Sequence, residues 1–137
     1  YGDKEYKRKV IEYAIELFGK DKVEIIDKMM NQTEYIKYLN TVDICILDYK
    51  HQAALGNIYY LLYMGKKLYL NKDGIIKLFT TLEGIETYNV SAIEKMSFEE
   101  FSKPIDDVKY GIEFAVFHID EKNYIKLWKR TINEMLT

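Results

Sequence analysis

The fold is decided by one stretch of the sequence, Val42-Asp43-Ile44-Cys45-Ile46-Leu47-Asp48-Tyr49-Lys50-His51-Gln52-Ala53-Ala54-Leu55-Gly56-Asn57-Ile58. Its apolar run from Ile44 to Leu47 does not alternate with polar residues, which predicts a strand covered on both faces. A polar loop follows, and Gly56 marks the start of a helix at which free N–H groups of Asn57 and Ile58 would face a ligand. In an open α/β sheet ligands bind outside the carboxyl ends of the strands, and a helix start favours an anion.

The composition is that of an ordinary globular protein. Of the 137 residues, 48% are hydrophobic and 31% are charged, and 20 basic against 22 acidic side chains leave a net charge of -2. This near balance gives no indication of nucleic-acid binding. No run approaches the roughly 18 apolar residues that cross a bilayer, and Cys45, the single cysteine, cannot form an internal disulfide. We therefore expect one domain in the reducing cytoplasm.

Apolar periodicity predicts helices alternating with strands. The predicted helices run from about Lys4 to Phe18, from a Thr33 cap through Leu39, from Ile58 towards Gly65, from Ile75 to Leu82, from about Ile105 to Phe117, and from Asp120 to Met135. The predicted strands are Val23 to Ile26, Ile44 to Leu47, Lys67 to Leu70 and Ile85 to Tyr88. Capping-box spacing after Ser91 and Ser97 adds two short helical turns.

This order predicts an α/β fold with a Rossmann-like, doubly wound parallel sheet flanked by helices. A doubly wound sheet normally begins with a strand, whereas this chain begins with a helix after Asp3. We therefore expect residues 1–137 to be a piece of a longer protein. The first strand of the sheet would lie in the part of that protein that precedes this piece.

Two runs carry a resemblance to a known family, Asp43-Ile-Cys-Ile-Leu-Asp-Tyr-Lys-His-Gln52-Ala-Ala-Leu-Gly56-Asn57 and Leu61-Leu62-Tyr-Met-Gly65-Lys-Lys-Leu-Tyr-Leu70-Asn71. They resemble the carboxyl-terminal half of the bacterial 4-α-L-fucosyltransferases, and the similarity extends over roughly residues 1 to 90. The wider resemblance is to the nucleotide-sugar-binding half of GT-B glycosyltransferases, including a closing helix with Trp128.

The resemblance implies a glycosyltransferase that moves an N-acetylfucosamine-type sugar from a dTDP carrier to a lipid-linked saccharide in bacterial surface-polysaccharide synthesis. It implies that residues 1–137 bind the donor, that the acceptor and the catalytic base belong to a missing amino-terminal domain, and that this chain alone is inactive. No metal or other cofactor is expected. The implied location is the cytoplasm, compatible with peripheral association at the inner face of the membrane.

The donor-binding residues that we expect are Gln52, Gly56, Asn57, Ile58, His51 and Asn71. Gly56 and Asn57 would cradle a diphosphate at the helix start, although a tight turn and a helix cap explain the same two residues. Gln52 offers both a donor and an acceptor to a sugar hydroxyl, or is a solvated loop amide. His51 and Lys50 would add positive charge, and Asn71 follows a strand whose carboxyl end shares this edge.

One departure from the wider GT-B pattern concerns the donor clamp. Retaining members often carry two glutamates around this glycine, and here the comparable positions hold Gln52 and Tyr60. The resemblance therefore favours an inverting, metal-independent enzyme.

A rival hypothesis is a non-catalytic signalling domain of receiver type. Asp48 would be its phospho-acceptor, with Lys66 or Lys67 as the accompanying lysine. Such a domain needs an acidic pair after its first strand, and Asp27 is the only carboxylate after the predicted Val23 strand.

Overall fold

A computed structural model of the chain describes residues 3–51 and 54–136, and the chain divides into two units between Asn31 and Gln32. The helices are α1 (Lys4–Phe18), α2 (Gln32–Thr41), α3 (Leu55–Tyr63), α4 (Ile75–Leu82), α5 (Phe98–Ser102), α6 (Lys109–Ile119) and α7 (Glu121–Leu136). The strands are β1 (Ile44–Leu47), β2 (Lys67–Leu70) and β3 (Tyr88–Asn89), and two short 3-10 helices cover Lys20–Lys22 and Val90–Lys95.

The first unit consists mainly of α1, whose predicted bounds are confirmed. The carboxylate of Asp3 accepts a hydrogen bond from the backbone N–H of Tyr6 at 2.7 Å, and Gly19, at φ 87°, ends the helix. The strand predicted over Val23 to Ile26 is wrong: these residues form no ladder, and Ile25 is 43% exposed. Their apolar side chains favour a strand, but a strand is stable only when neighbouring strands and a packed face support it.

The second unit is built on a three-stranded sheet whose order is β1-β2-β3. Both pairs of neighbours are parallel, and Leu47 is paired with Leu70 at the carboxyl ends of β1 and β2. Helices α3 and α6 pack together and supply Ile58, Leu61 and Phe114 to the same core as Leu68 and Leu70. The predicted parallel sheet with flanking helices is therefore confirmed.

Burial distinguishes the central strand from the edge strand. All four residues of β2 are buried, as expected for a strand covered on both faces. In β1, Cys45 and Leu47 pack against the core, whereas Ile46 is 49% exposed. The prediction that β1 is covered on both faces is thus wrong at Ile46, because only the face that carries Cys45 and Leu47 packs against the core.

The chain between α4 and β3 shows why the last predicted strand is shorter than expected. The side-chain amine of Lys77, on α4, donates to the carbonyl oxygen of Thr87 at 2.7 Å, and the N–H of Ile85 donates to the carbonyl oxygen of Thr80 at 2.8 Å. These bonds hold residues 85–87 against α4, so only Tyr88 and Asn89 join the sheet.

Of the three predicted helix caps, the one at Ser97 is confirmed, because Ser97 and Glu100 form a reciprocal capping box. Thr33 lies inside α2 and Ser91 lies inside a 3-10 helix, so neither is the cap that we predicted. None of the helices in the described part of the chain has both the length and the apolar character needed to cross a membrane.

Lys67 links the amino end of β2 to the carboxyl end of α5 through hydrogen bonds. Its buried ammonium group donates to the carbonyl oxygens of Glu100, Phe101 and Lys103 at 3.0, 2.9 and 3.0 Å. It also lies 4.7 Å from the centre of the Tyr88 ring. A cation at the carboxyl end of a helix is favourable, because the last carbonyl groups have no partner within the helix.

We predict that Lys67→Met lowers the free energy of unfolding by about 2–4 kcal/mol, because three carbonyl groups lose a charged donor. Denaturant melts measure the change. The control is Lys66→Met, which removes a single bond to the carbonyl oxygen of Asn40 and should cost less than about 1 kcal/mol. Equal effects of the two substitutions would contradict the prediction.

Candidate functional site

The parallel register brings polar residues of two loops together at the carboxyl edge of the sheet. Asp48 follows β1, and Asn71 follows β2. The side-chain amide of Asn71 donates to a carboxylate oxygen of Asp48 at 2.6 Å, and the backbone N–H of Asn71 donates to the carbonyl oxygen of Leu47 at 3.2 Å. The loop after β1 is therefore bonded to the loop after β2.

Asn71 uses both ends of its side chain in this arrangement. Its carbonyl oxygen accepts the backbone N–H of Asp73 at 2.9 Å while its NH₂ group binds Asp48. Because the amide has two hydrogens and two lone pairs, one donor and one acceptor position are left unused by the residues that the structure describes. Asn71 can thus orient both loops and still offer a hydrogen bond to a ligand.

Gly74 allows the backbones of the two loops to lie close together, a role that the sequence analysis did not predict. A Cβ atom at this position would lie 2.8 Å from the carbonyl oxygen of Tyr49 and 3.1 Å from that of Asn71. Beside it, the N–H of Ile75 donates to the carbonyl oxygen of Lys50 at 3.1 Å. The Asp73-Gly74 pair indicates a turn or a helix entry, and Gly74 does precede α4, but nothing local in the sequence indicates that Tyr49 lies against it.

Helix α3 begins one residue earlier than the glycine that we took as its marker. Ala54 precedes it with left-handed backbone angles, φ 55° and ψ 29°, and Gly56 and Asn57 both lie in the first turn. Apart from the backbone of its own helix and its chain neighbours, no atom of the described residues lies within 4 Å of the position that a Gly56 Cβ would take. A ligand can therefore approach the backbone closely at this point.

The expectation of a free N–H group at Ile58 is wrong. That group donates to the carbonyl oxygen of Ala54 at 3.1 Å, as the first hydrogen bond of the helix, and the side chain of Ile58 is fully buried. The amides that precede this bond belong to Leu55, Gly56 and Asn57. Ile58 is therefore a core residue and not a hydrogen-bond donor to a ligand.

Of the remaining predicted residues, Gln52 lies outside the described residues. His51 is exposed, and its ring lies 5.7 Å from that of Tyr49 between centroids. Lys50 is exposed beside it. Burial raises the pKa of the Tyr49 hydroxyl above its ordinary value.

A cleft of about 300 Å³ opens at the same edge and is lined in part by Asp48, Asn71, Lys72, Asp73, Ser91 and Glu94. It contains three carboxylates and a single lysine. Carboxylates accept hydrogen bonds from hydroxyl groups but repel phosphates, so the cleft suits an uncharged polyol better than an anion. Within residues 3–51 and 54–136, no three His, Cys, Asp or Glu residues form a group that could hold a metal ion.

The receiver hypothesis fails on the position of its lysines. Lys67 begins β2 and is paired with Ile44, whereas Asp48 lies beyond the opposite end of β1, four residue steps or about 13 Å further along. The Lys67 ammonium group is already bonded to three carbonyl groups, and that of Lys66 donates to the carbonyl oxygen of Asn40 at 2.9 Å. Neither amine lies where it could assist a phosphorylated Asp48.

Comparison with known proteins identifies one family. The model of the family described as 4-alpha-L-fucosyltransferase, glycosyl transferase group 56, matches residues 1–135, which is nearly the whole chain. No curated protein and no solved structure gave a match.

We predict that Gly74→Ala lowers the free energy of unfolding by about 1–3 kcal/mol, because the added methyl group forces two backbone carbonyls away. Gly56→Ala is the matched control, since its methyl group enters open space in a helix and should leave the stability unchanged or raise it by about 0.5 kcal/mol. Denaturant melts of the two variants check the difference. Two variants of equal stability would mean that the loops after β1 and β2 are not packed as described.

Proposed function

The chain belongs to the 4-alpha-L-fucosyltransferase family, glycosyl transferase group 56, and we propose that it is the donor-binding half of a GT-B enzyme. In this proposal the enzyme transfers an N-acetylfucosamine-type sugar from a dTDP-sugar to a lipid-linked saccharide. The family match supports glycosyl transfer in general. The choice of donor and acceptor follows the sequence resemblance described above.

The observation that carries the proposal is the bonded pair of loops at the carboxyl edge of the sheet. Two hydrogen bonds, from Asn71 to Asp48 and from Ile75 to Lys50, join the loop after β1 to the loop after β2 and to the start of α4. Polar groups held in place before the ligand arrives lose little conformational entropy on binding. An edge of this kind is where open α/β sheets bind their ligands.

We assign the diphosphate to the α3 side of this edge. The amides of Leu55, Gly56 and Asn57 precede the first hydrogen bond of the helix, and the absent side chain of Gly56 leaves room for an oxygen atom. Lys50 and His51 stand in the preceding loop as further donors, and Gln52 is retained as a donor contact on the sequence argument alone. Backbone amides can stabilise the diphosphate as it becomes the leaving group.

We assign the transferred sugar to the acidic cleft. Asp48, Asp73 and Glu94 supply acceptors for sugar hydroxyls, and Asn71 stands between the cleft and the phosphate side. The base that activates the acceptor hydroxyl is assigned to an amino-terminal domain.

We predict that thymidine diphosphate, or its sugar conjugate, raises the melting temperature of the chain more than guanosine or adenosine diphosphate does. A ligand that binds only the native state, present at a hundred times its dissociation constant, stabilises it by about 2.7 kcal/mol. A thermal-shift series with the three nucleotides at equal millimolar concentration measures the order. The absence of any nucleotide effect would contradict the donor-binding proposal.

We predict that Gly56→Val weakens diphosphate binding at least tenfold, about 1.4 kcal/mol, while the chain remains folded. The branched side chain would cover the amides of the first turn, yet it enters open space, so the free energy of unfolding should change by less than about 1 kcal/mol. Calorimetric titration with thymidine diphosphate, paired with a denaturant melt, separates the two effects. A stable variant with unchanged affinity would remove the start of α3 from the site.

A further inference from the structure

A second cleft lies at the amino edge of the sheet, at the opposite ends of the strands from Asp48 and Asn71. Its volume is about 510 Å³, and it is bounded by the start of β1, the end of α3, α5 and the chain that follows α5. We call it the amino-edge cleft. Pockets of this size hold small molecules, and they combine an apolar lining with a few polar groups.

Apolar side chains form much of the wall of this cleft. Phe98 lies in the wall with 81% of its surface exposed, and the Phe101 ring lies 6.5 Å from the Phe98 ring between centroids. The wall also includes Ile44, Met64, Ile105 and Val108. An exposed ring beside a concave apolar wall favours an aromatic ligand, because their contact removes apolar surface from water on both sides.

The charged groups of the amino-edge cleft are mainly basic. Its lining contains three lysines, Lys66, Lys67 and Lys103, and one carboxylate, that of Asp43. Lys103 is paired with Asp106 at 2.9 Å, but no ion pair engages Lys66 or Lys67 within the described part of the chain. The cleft therefore has an excess of positive charge, although the net charge of the whole chain is -2.

Lys67 contributes a charge that no anion of the described residues offsets. Only 6% of this residue is exposed, and three carbonyl oxygens accept the hydrogens of its ammonium group. These dipoles and the Tyr88 ring lower the cost of burying a cation, but they leave its net charge in place. Buried charges in proteins are generally paired with an opposite charge. An anion in the adjoining cleft would supply that charge without a direct hydrogen bond to Lys67.

Lys66 is the residue that can bond an anion directly. Its half-buried ammonium group donates to the carbonyl oxygen of Asn40 at 2.9 Å. Because an ammonium group carries three donors, the other two are left unused by the residues that the structure describes. Partial exclusion of water at this position strengthens the attraction between the ammonium group and an anion.

We propose that the amino-edge cleft binds a small aromatic carboxylate. The ring of the ligand would pack against Phe98 and the apolar wall, its carboxylate would accept hydrogen bonds from Lys66, and the charge of Lys67 would add to the attraction. An inorganic anion would leave the apolar wall in water, and a neutral aromatic ligand would leave the two lysines without an opposite charge. This inference does not rest on the proposed sugar transfer, because the donor is assigned to the carboxyl edge of the sheet.

Three probes with the same ring system but different charge test this proposal on the full chain: naphthoate is an anion, naphthamide is neutral and naphthylmethylammonium is a cation. Each is titrated into the nitrogen-15-labelled protein while the backbone amide signals are recorded by NMR. We expect naphthoate to shift the signals of residues 64–67 and 98–108 in a saturable manner. Naphthamide should bind at least about fivefold more weakly and the cation most weakly, because the lysines attract the first probe and repel the last.

Two substitutions separate the charge from the apolar wall. Lys66→Met should weaken the binding of naphthoate about fivefold and change that of naphthamide less than about twofold, because only the anion loses an ionic partner. Phe98→Ala should weaken the binding of both probes about fivefold, because both lose the contact with its ring. The control is Lys126→Met, which removes the same charge from an exposed position on α7 and should leave both affinities unchanged.

Four outcomes would overturn the proposal: equal affinities for naphthoate and naphthamide, unchanged binding of naphthoate by Lys66→Met, an equal loss in the Lys126→Met control, or signal shifts confined to other parts of the chain. Displacement of naphthoate by an equal concentration of inorganic phosphate would also contradict it, since ionic attraction alone would then govern binding. The comparison of the three probes uses the unaltered protein, so it decides the question even where a substitution unfolds the chain.

Discussion

The register of β1 against β2 is the constraint on which the candidate site depends. Because Leu47 pairs with Leu70, Asp48 and Asn71 emerge side by side and can exchange a hydrogen bond of 2.6 Å. A slip by one residue would turn every side chain of β1 to the opposite face of the sheet. The core contacts of Cys45 and Leu47 oppose such a slip, so packing on one face of the strand sets the geometry of the loops at its end.

The two ends of β2 serve different purposes, although each carries polar residues. At the amino end, the Lys67 ammonium group is enclosed and shared among three carbonyl groups, which leaves it no capacity for a substrate. At the carboxyl end, Asn71 is only half-buried and retains an unused donor and acceptor. A lysine beside a strand therefore indicates a site only when its hydrogen-bonding capacity is still open.

Local pattern was sufficient to predict α1, β1 and β2, because helical periodicity and short apolar runs depend on neighbouring residues only. It failed where contacts between residues distant in the sequence determine the local structure. Residues 85–87 have strand-forming side chains, yet Lys77 and Thr80 bind their backbone and withdraw them from the sheet. The Asp73-Gly74 pair predicts a turn or a helix entry, but not the contact between Gly74 and the Tyr49 carbonyl, which joins positions 25 residues apart and exists only after folding. The polar edge itself was predictable, but the way in which its loops are bonded was not.

The charges along this edge of the sheet favour one orientation of the proposed donor. The cleft carries Asp48, Asp73 and Glu94 against Lys72, so a diphosphate placed there would meet more negative than positive charge. The hydrogen bond from Asn71 offsets only part of the charge on Asp48, because the amide is a neutral donor. Beside α3 the same diphosphate would meet backbone amides and the cation of Lys50, which attract it. The arrangement of lower free energy therefore has the sugar towards β3 and the phosphates towards α3, with Asn71 at the boundary between them.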